Sequence, residues 1–271
     1  MYELEYVRRR KRRKLAAIIG FASVGAISGM SIVAFLGRSV GTFTVSLETG
    51  NVKLSLCEKS DFINSSSYLR ASGLTSFQEY TYGNFANIGD DVIDSETTDY
   101  TLGANFNKNG DVSSLNFYKY TFFVKNVGDV PCRYHFSLDI LDQSSTSDGR
   151  TIDETLRVTL YENGNTDVHN KVTYGKRSVM PHEDENGEPD YRSPISVSES
   201  EATSSNPFQG YAEMFESATV ITEFMNNEFK VDEIKRYTIV IWLEGFRSSN
   251  LVEAPKGAKL NIGVNIDAYE I

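Results

Sequence analysis

Histidine, cysteine, proline and tryptophan are all scarce in this chain, and each scarcity removes a class of chemistry. There are three histidines, His135, His169 and His182, widely separated. His182-Glu183 opens an H-E-x-x-H pattern, but its second histidine position holds Asn186, so two imidazoles do not meet one zinc ion on a helix face. The two cysteines are not in a Cys-x-x-Cys spacing, which removes the redox and zinc motifs built on it. No glycine-rich phosphate loop opens a helix, no G-x-S-x-G elbow is present and no fixed-period repeat is evident. Six prolines and 24% charged residues argue against wholesale disorder. The single tryptophan, Trp242, lies in so apolar a stretch that it reads as core rather than as a carbohydrate platform. With no nucleophile, base and orienter in sight, the chain is not expected to be an enzyme.

What is present begins with charge. Residues 8–14 are all Lys or Arg and run directly into 23 uncharged, largely apolar residues, 15–37. At helical rise such a stretch spans roughly 34 Å, against about 30 Å for a bilayer core. The pattern predicts a cytoplasmic basic segment over 1–14, a transmembrane signal-anchor helix over 15–37 and an extracytoplasmic domain over 38–271. The alternative is a cleaved secretory signal ending near Ala34. Against it, the apolar stretch exceeds the usual 7–15 residues, and Ile32-Val33-Ala34 matches a cleavage site poorly. Gly25 and Gly29 form a G-x-x-x-G that lets two such helices pack, although small residues are common in membrane segments generally.

Residues 1–37 hold seven of the 27 basic and two of the 37 acidic residues, leaving 20 basic and 35 acidic beyond them. A domain that acidic repels phosphate backbones, so nucleic acid is not an expected partner. It suits weak capture of divalent cations instead. Cys57 and Cys132 both fall in strand-like stretches of the exported part. They either form a disulfide closing a long loop or pack as two buried thiols.

Alternation of apolar and polar residues then predicts strands along most of the remainder. Phe43, Val45 and Leu47, then Val52, Leu54 and Leu56, read as a hairpin about the Thr49-Gly50-Asn51 turn. Tyr118, Tyr120, Phe122 and Val124 share one face, as do Tyr134, Phe136, Leu138 and Ile140 beyond an Asn126–Pro131 turn. Thr151 with Glu154 is either a capping box on one helical turn or a simple turn. Leu156, Val158 and Leu160 continue as strand, and an acidic, proline-bearing loop insertion follows near 181–207. Residues 237–243 are apolar on both faces, the mark of a strand covered on both sides. Leu260, Ile262, Val264, Ile266 and Ala268 close the chain. The fold class expected is all-β, an antiparallel β-sandwich with long loops.

Calcium is the metal the composition best suits, because hard cations take clustered oxygen ligands. Asn105, Asn107 and Asn109 stand at the first, third and fifth places of a calcium-loop spacing that lacks its closing glutamate; an Asn-Gly turn accounts for them equally well. Asp90, Asp91 and Asp94 are the other candidates. No cofactor beyond possible calcium is expected.

Four stretches carry a resemblance. "SVGTFTVSLETGNVKLSL" directly after the apolar segment is similar to the start of mature TasA and camelysin-type matrix proteins. "YKYTFFVKNVGDVPCRYHFSLDI" resembles the aromatic strand, Lys-Asn-x-Gly-Asp turn and return strand of that group. "TLRVTLYENG" and "RYTIVIWLEGF" resemble strands of membrane-anchored surface proteins of low-GC Gram-positive bacteria, where a Trp-Leu-Glu-Gly strand is commonly followed by Asp-Pro-Glu-Cys; here residues 246–249 are Phe-Arg-Ser-Ser. The resemblance implies a jelly-roll-like sandwich and a structural or interaction role at the cell surface, with self-association or other surface proteins as partners and assembly by strand addition through residues 42–47. It transfers no active site. A calcium-dependent ligand-binding or adhesin module is the competing reading.

Overall fold

The stretches that alternate in sequence become strands in the computed structural model, which describes residues 34–36, 42–49, 52–72, 118–163, 171–196, 208–244 and 258–271. All of them lie in one unit, Ser31–Ile271. The first sheet contains β1 (Ala34–Leu36), β2 (Thr42–Thr49), β4 (Tyr68–Ser72), β6 (Cys132–Ser144), β14 (Val220–Phe229) and β16 (Lys259–Glu270). Its order is β14-β6-β16-β2-β4, with β1 also paired to β16. The second contains β3 (Leu54–Cys57), β5 (Tyr118–Asn126), β7 (Leu156–Glu162), β8 (Lys171–Gly175), β13 (Glu213–Met214) and β15 (Ile234–Leu243), in the order β13-β8-β7-β15-β5-β3. Two small pairs complete the described strands: β9 (His182–Glu183) with β10 (Pro189–Asp190), and β11 (Pro194–Ser196) with β12 (Phe208–Tyr211). The fold is all-β and mostly antiparallel; β2/β16 and β13/β8 are the parallel pairs among the described strands.

The sheets share one apolar core, and the alternation in sequence predicts who enters it. Tyr118, Tyr120, Phe122 and Val124 of β5, Tyr134, Phe136, Leu138 and Ile140 of β6, Leu156, Val158 and Leu160 of β7, and Leu260, Ile262, Val264, Ile266 and Ala268 of β16 are all buried in it. The Phe136 and Tyr237 rings meet across the two sheets with centroids 4.8 Å apart. Each such side chain, fully buried, contributes about 1.5–3 kcal/mol of apolar transfer, so this face dominates stability. The second sheet is covered on its other face too. Thr238, Val240 and Trp242 are buried beside Tyr237, Ile239 and Ile241, as expected for residues 237–243. The Trp242 indole N–H is satisfied by Glu244 Oε2 at 3.2 Å.

Two sequence expectations change here. Residues 42–57 are not a hairpin: β2 pairs with β16 and β4 in the first sheet, whereas β3 pairs with β5 in the second. Alternation fixes which face is apolar but not which sheet a strand joins; Leu54 and Leu56 of β3 enter the shared core from the second sheet. The connection crosses from sheet to sheet, and β5 to β6 and β14 to β15 do the same. The helix expected over 15–37 does not extend through Ala34–Leu36, whose backbone pairs antiparallel with Leu260–Ile262. Residues 15–33, with Gly25 and Gly29, lie outside the described residues. No described helix is long and apolar enough to cross a membrane.

Part of the acidic insertion near 181–207 is a built hairpin. Asp184 N donates to Glu188 O and Gly187 N to Asp184 O, at 2.8 and 3.0 Å. Gly187 supplies the positive φ (+79°) that the turn requires. Residues 197–207 lie outside the described residues. Thr151 and Glu154 do cap one helical turn, Ile152–Glu154, with Thr151 N donating to Glu154 Oε1 at 3.3 Å.

Candidate functional site

Strand β16 is the axis of the first sheet. Along one edge it pairs with β6 from Lys259 to Glu270. Along the other it takes β1 at 260–262 and then, in the parallel sense, β2 at 264–268. β1, inside the apolar stretch 15–37, and β2, just beyond it, are therefore both held by the last described strand. β2 is interior, with β4 on its far side. Residues 42–46 thus lie beside β4 rather than at an open edge of the sheet.

The face of this sheet away from the core carries a row of polar side chains. His135 of β6 sits between Glu223 of β14 and Asp267 of β16, with Nε2 3.2 Å from Glu223 Oε2 and Nδ1 3.8 Å from Asp267 Oδ2. One imidazole thereby links three adjacent strands. Two residues further along β6, Ser137 Oγ donates to Asp139 Oδ2 at 2.6 Å, and Asn265 Nδ2 donates to Asp267. Burial is the main cause that pushes the Asp139 carboxyl above the usual aspartate range. Glu223 and Asp267 add to it, while the Ser137 bond and His135 oppose. The row presents anionic acceptors to whatever lies outside it. Among the described residues no three His, Cys, Asp or Glu side chains converge on a metal position.

The other sequence candidates are placed as follows. Asp90, Asp91, Asp94, Asn105, Asn107 and Asn109 all lie outside the described residues, so the calcium expectation rests on the sequence alone. His182 stacks on Tyr211 with rings 3.7 Å apart and 4° from parallel, and its Nε2 lies 3.3 Å from Asp190 Oδ2. Arg192 holds that same carboxylate, and its hydrogen bonds lower the Asp190 pKa. Cys57 and Cys132 are buried free thiols, the second of the two alternatives. They belong to different sheets, and Cys132 faces the shared core while Cys57 is not part of that cluster. Burial pushes the Cys132 thiol up.

Sequence reasoning missed two features. One is Asn126, read only as a turn residue. It is fully buried and ties together the loops at the sheet-crossing end. Its Nδ2 donates to Val130 O (3.0 Å) and Phe229 O (3.1 Å), and its Oδ1 accepts from Gly128 N (3.0 Å). The clue was available: an amide before Val-Gly-Asp serves both sides of a turn. The other is Arg157, buried in β7, whose guanidinium donates to Leu156 O and Pro194 O and so fixes β11 on the second sheet. Burial lowers its pKa, with Glu244 opposing. Gly175, opposite Arg157, is closely surrounded: a Cβ there would lie 3.1 Å from the Ala212 Cβ and 3.2 Å from the Ser193 Cβ, so these neighbours would have to shift by a few tenths of an ångström.

No known protein family, no curated protein and no solved structure matches this chain.

Proposed function

We propose that the chain is a single-pass, membrane-anchored interaction protein of the bacterial surface, with its basic N-terminus in the cytoplasm and a jelly-roll-like sandwich outside. The observation that carries this reading is the location of β1 and β2. The chain enters the first sheet at Ala34, inside the apolar stretch 15–37, and again at Thr42 just beyond it, and its partner at both places is the final described strand. That arrangement suits a domain displayed directly on its anchor. The resemblance to TasA and camelysin-type proteins agrees with a structural role, and the reading contains no catalytic step. Assembly, in this reading, is exchange rather than free addition: the slot between β16 and β4 accepts residues 42–47 of a neighbour in place of the chain's own.

The parallel register gives the test, because Ser46 lies opposite Asn265. The full chain carrying Ser46→Cys and Asn265→Cys is expressed in a Gram-positive host, and intact cells are treated with trypsin. The expected result is a membrane-bound chain whose outer domain is digested and which forms interchain disulfides on non-reducing gels. A trypsin-resistant chain in intact cells overturns surface display, release of a shortened chain into the medium overturns the anchor, and intrachain bridges alone overturn exchange.

A further inference from the structure

The end of the molecule where three connections cross between the sheets carries an unfilled cleft. The connections meet there: Val127 N donates to Lys53 O (2.9 Å), Asn126 N to Glu233 O (3.1 Å) and Asp232 N to Asn126 O (3.0 Å). A cleft of about 690 Å³ lies beside them, lined by Val130 and Pro131 of one connection, Asn227 and Glu228 of β14, Glu270 of β16 and Ile271. That volume lies within the roughly 300–1,000 Å³ of ordinary ligand sites. Its apolar residues are open to solvent, Val130 at 52% and Ile271 at 73%, and Val127 (46%) and Val231 (39%) continue the patch over the neighbouring turns.

The cleft has a sign as well as a shape. Nearby carboxylates are matched: Asp232 pairs with Lys125 at 2.9 Å, and Glu162 with Lys235 at 2.8 Å. Glu228 and Glu270, which line the cleft, have no ion pair among the described residues. The cleft is also preformed, because the buried Asn126 side chain holds the carbonyls of Val130 and Phe229, one on each side. A site whose walls are already fixed loses little conformational freedom when it is occupied.

We propose that this cleft binds a cationic peptide segment of a partner protein. An aliphatic or aromatic side chain of the segment packs on Val130, Pro131 and Ile271, and a Lys or Arg lies against Glu228 and Glu270. The inference is independent of the exchange slot between β16 and β4, which belongs to the other edge of β16, so either can fail without the other.

The probe is a fluorescent alternating leucine–lysine hexapeptide, titrated by anisotropy against the full chain in zwitterionic nanodiscs at about 150 mM salt, where surface fields are screened beyond about 8 Å. Saturable binding is expected, weakened about tenfold in the Glu228→Gln/Glu270→Gln variant. It should be lost with a serine–lysine peptide and unchanged in a Glu183→Gln/Glu185→Gln variant, which removes the same charge from the exposed hairpin. Thermal melts of both variants verify that they fold. Equal weakening in the two variants means that the peptide reads only net charge, and absence of saturable binding means that the cleft has no such ligand; either result overturns the proposal.

Discussion

Asn126 shows how much one amide can hold. Its side chain makes two donated and one accepted hydrogen bond, all to backbone atoms at the sheet-crossing end, beside the backbone bonds that already join these connections. In Asn126→Ala those backbone groups lose their partner in a buried setting, where each orphan costs about 1–3 kcal/mol before relaxation. A net loss of about 2–4 kcal/mol is expected, or a melting temperature lower by roughly 5–15 °C, read by thermal unfolding. Asn126→Asp should be no better, because a carboxylate cannot donate to the two carbonyls. A loss below about 0.5 kcal/mol would show that the loops are held by other contacts. Asp139 gives the opposite kind of effect. Its folded pKa is raised above the ordinary value of 3.8, chiefly by burial. The folded state therefore holds the proton more tightly than the unfolded chain, so this group favours folding below the ordinary value. That contribution is lost as pH rises through the raised one. Asp139→Asn should be at least as stable as the native chain at pH 7, with the difference shrinking toward pH 4 in paired denaturant titrations. A variant less stable at pH 7 than at pH 4, relative to the native chain, would contradict this sign.

At the scale of elements, the sequence makes strands legible and their partners illegible. The faces of β5, β6, β7, β15 and β16 follow directly from alternation, because every second residue must enter the same core. Strand β14 is hidden from that reading. Its register shifts between Val220 and Thr222 and again between Asn226 and Phe229, so Ile221 and Phe229 reach the core and Phe224 packs against it, although no single alternation joins position 224 to 221 and 229. The assignment of β2 and β3 to one hairpin fails for a related reason. A period of two records the face but not the sheet, and a short connection serves a crossing as well as a turn. The small pair β9 and β10 is likewise masked by charge, since its Asp-Glu-Asn-Gly-Glu run looks like solvated loop until Gly187 closes the turn. Strand β14 also illustrates how an edge is kept from pairing. Besides its two bulges, Glu216 Oε1 accepts the Glu223 amide N–H at 2.9 Å and the Thr222 hydroxyl at 3.4 Å. Bulges and a carboxylate on an edge both discourage a foreign strand. Glu216→Ala frees that amide, so self-association that rises with concentration is expected in sedimentation velocity, whereas Glu216→Gln, which retains an acceptor, should remain closer to the native chain. Identical sedimentation of native and Glu216→Ala chains would remove Glu216 from this role.

At the scale of the molecule, the first sheet is closed by its ends. Strand β16 pairs with β6 on one side and with β1 and β2 on the other, and it supplies Leu260, Ile262, Val264, Ile266 and Ala268 to the shared core. None of those pairings is local in sequence, so the loop-closure entropy of nearly the whole chain opposes them until the last strand arrives. Neither of these two surfaces could be read from sequence for this reason: the row around His135 draws on β6, β14 and β16, and the sheet-crossing end draws on three connections far apart in the chain. The same topology predicts an asymmetric response to truncation. Ile266→Ala, which empties volume in the middle of the core, should cost about 2–5 kcal/mol. Ile271→Ala, at an exposed position, should stay within about 0.5 kcal/mol. Stopping the chain after residue 257 is a different kind of change, because it leaves β6 and β2 facing an empty strand position and strips one wall from the core. Such a chain should show no cooperative thermal unfolding transition under conditions in which the full chain melts cooperatively. A stable fragment spanning residues 118–244 would instead mean that the second sheet, covered on both faces, folds without the strand that closes the first.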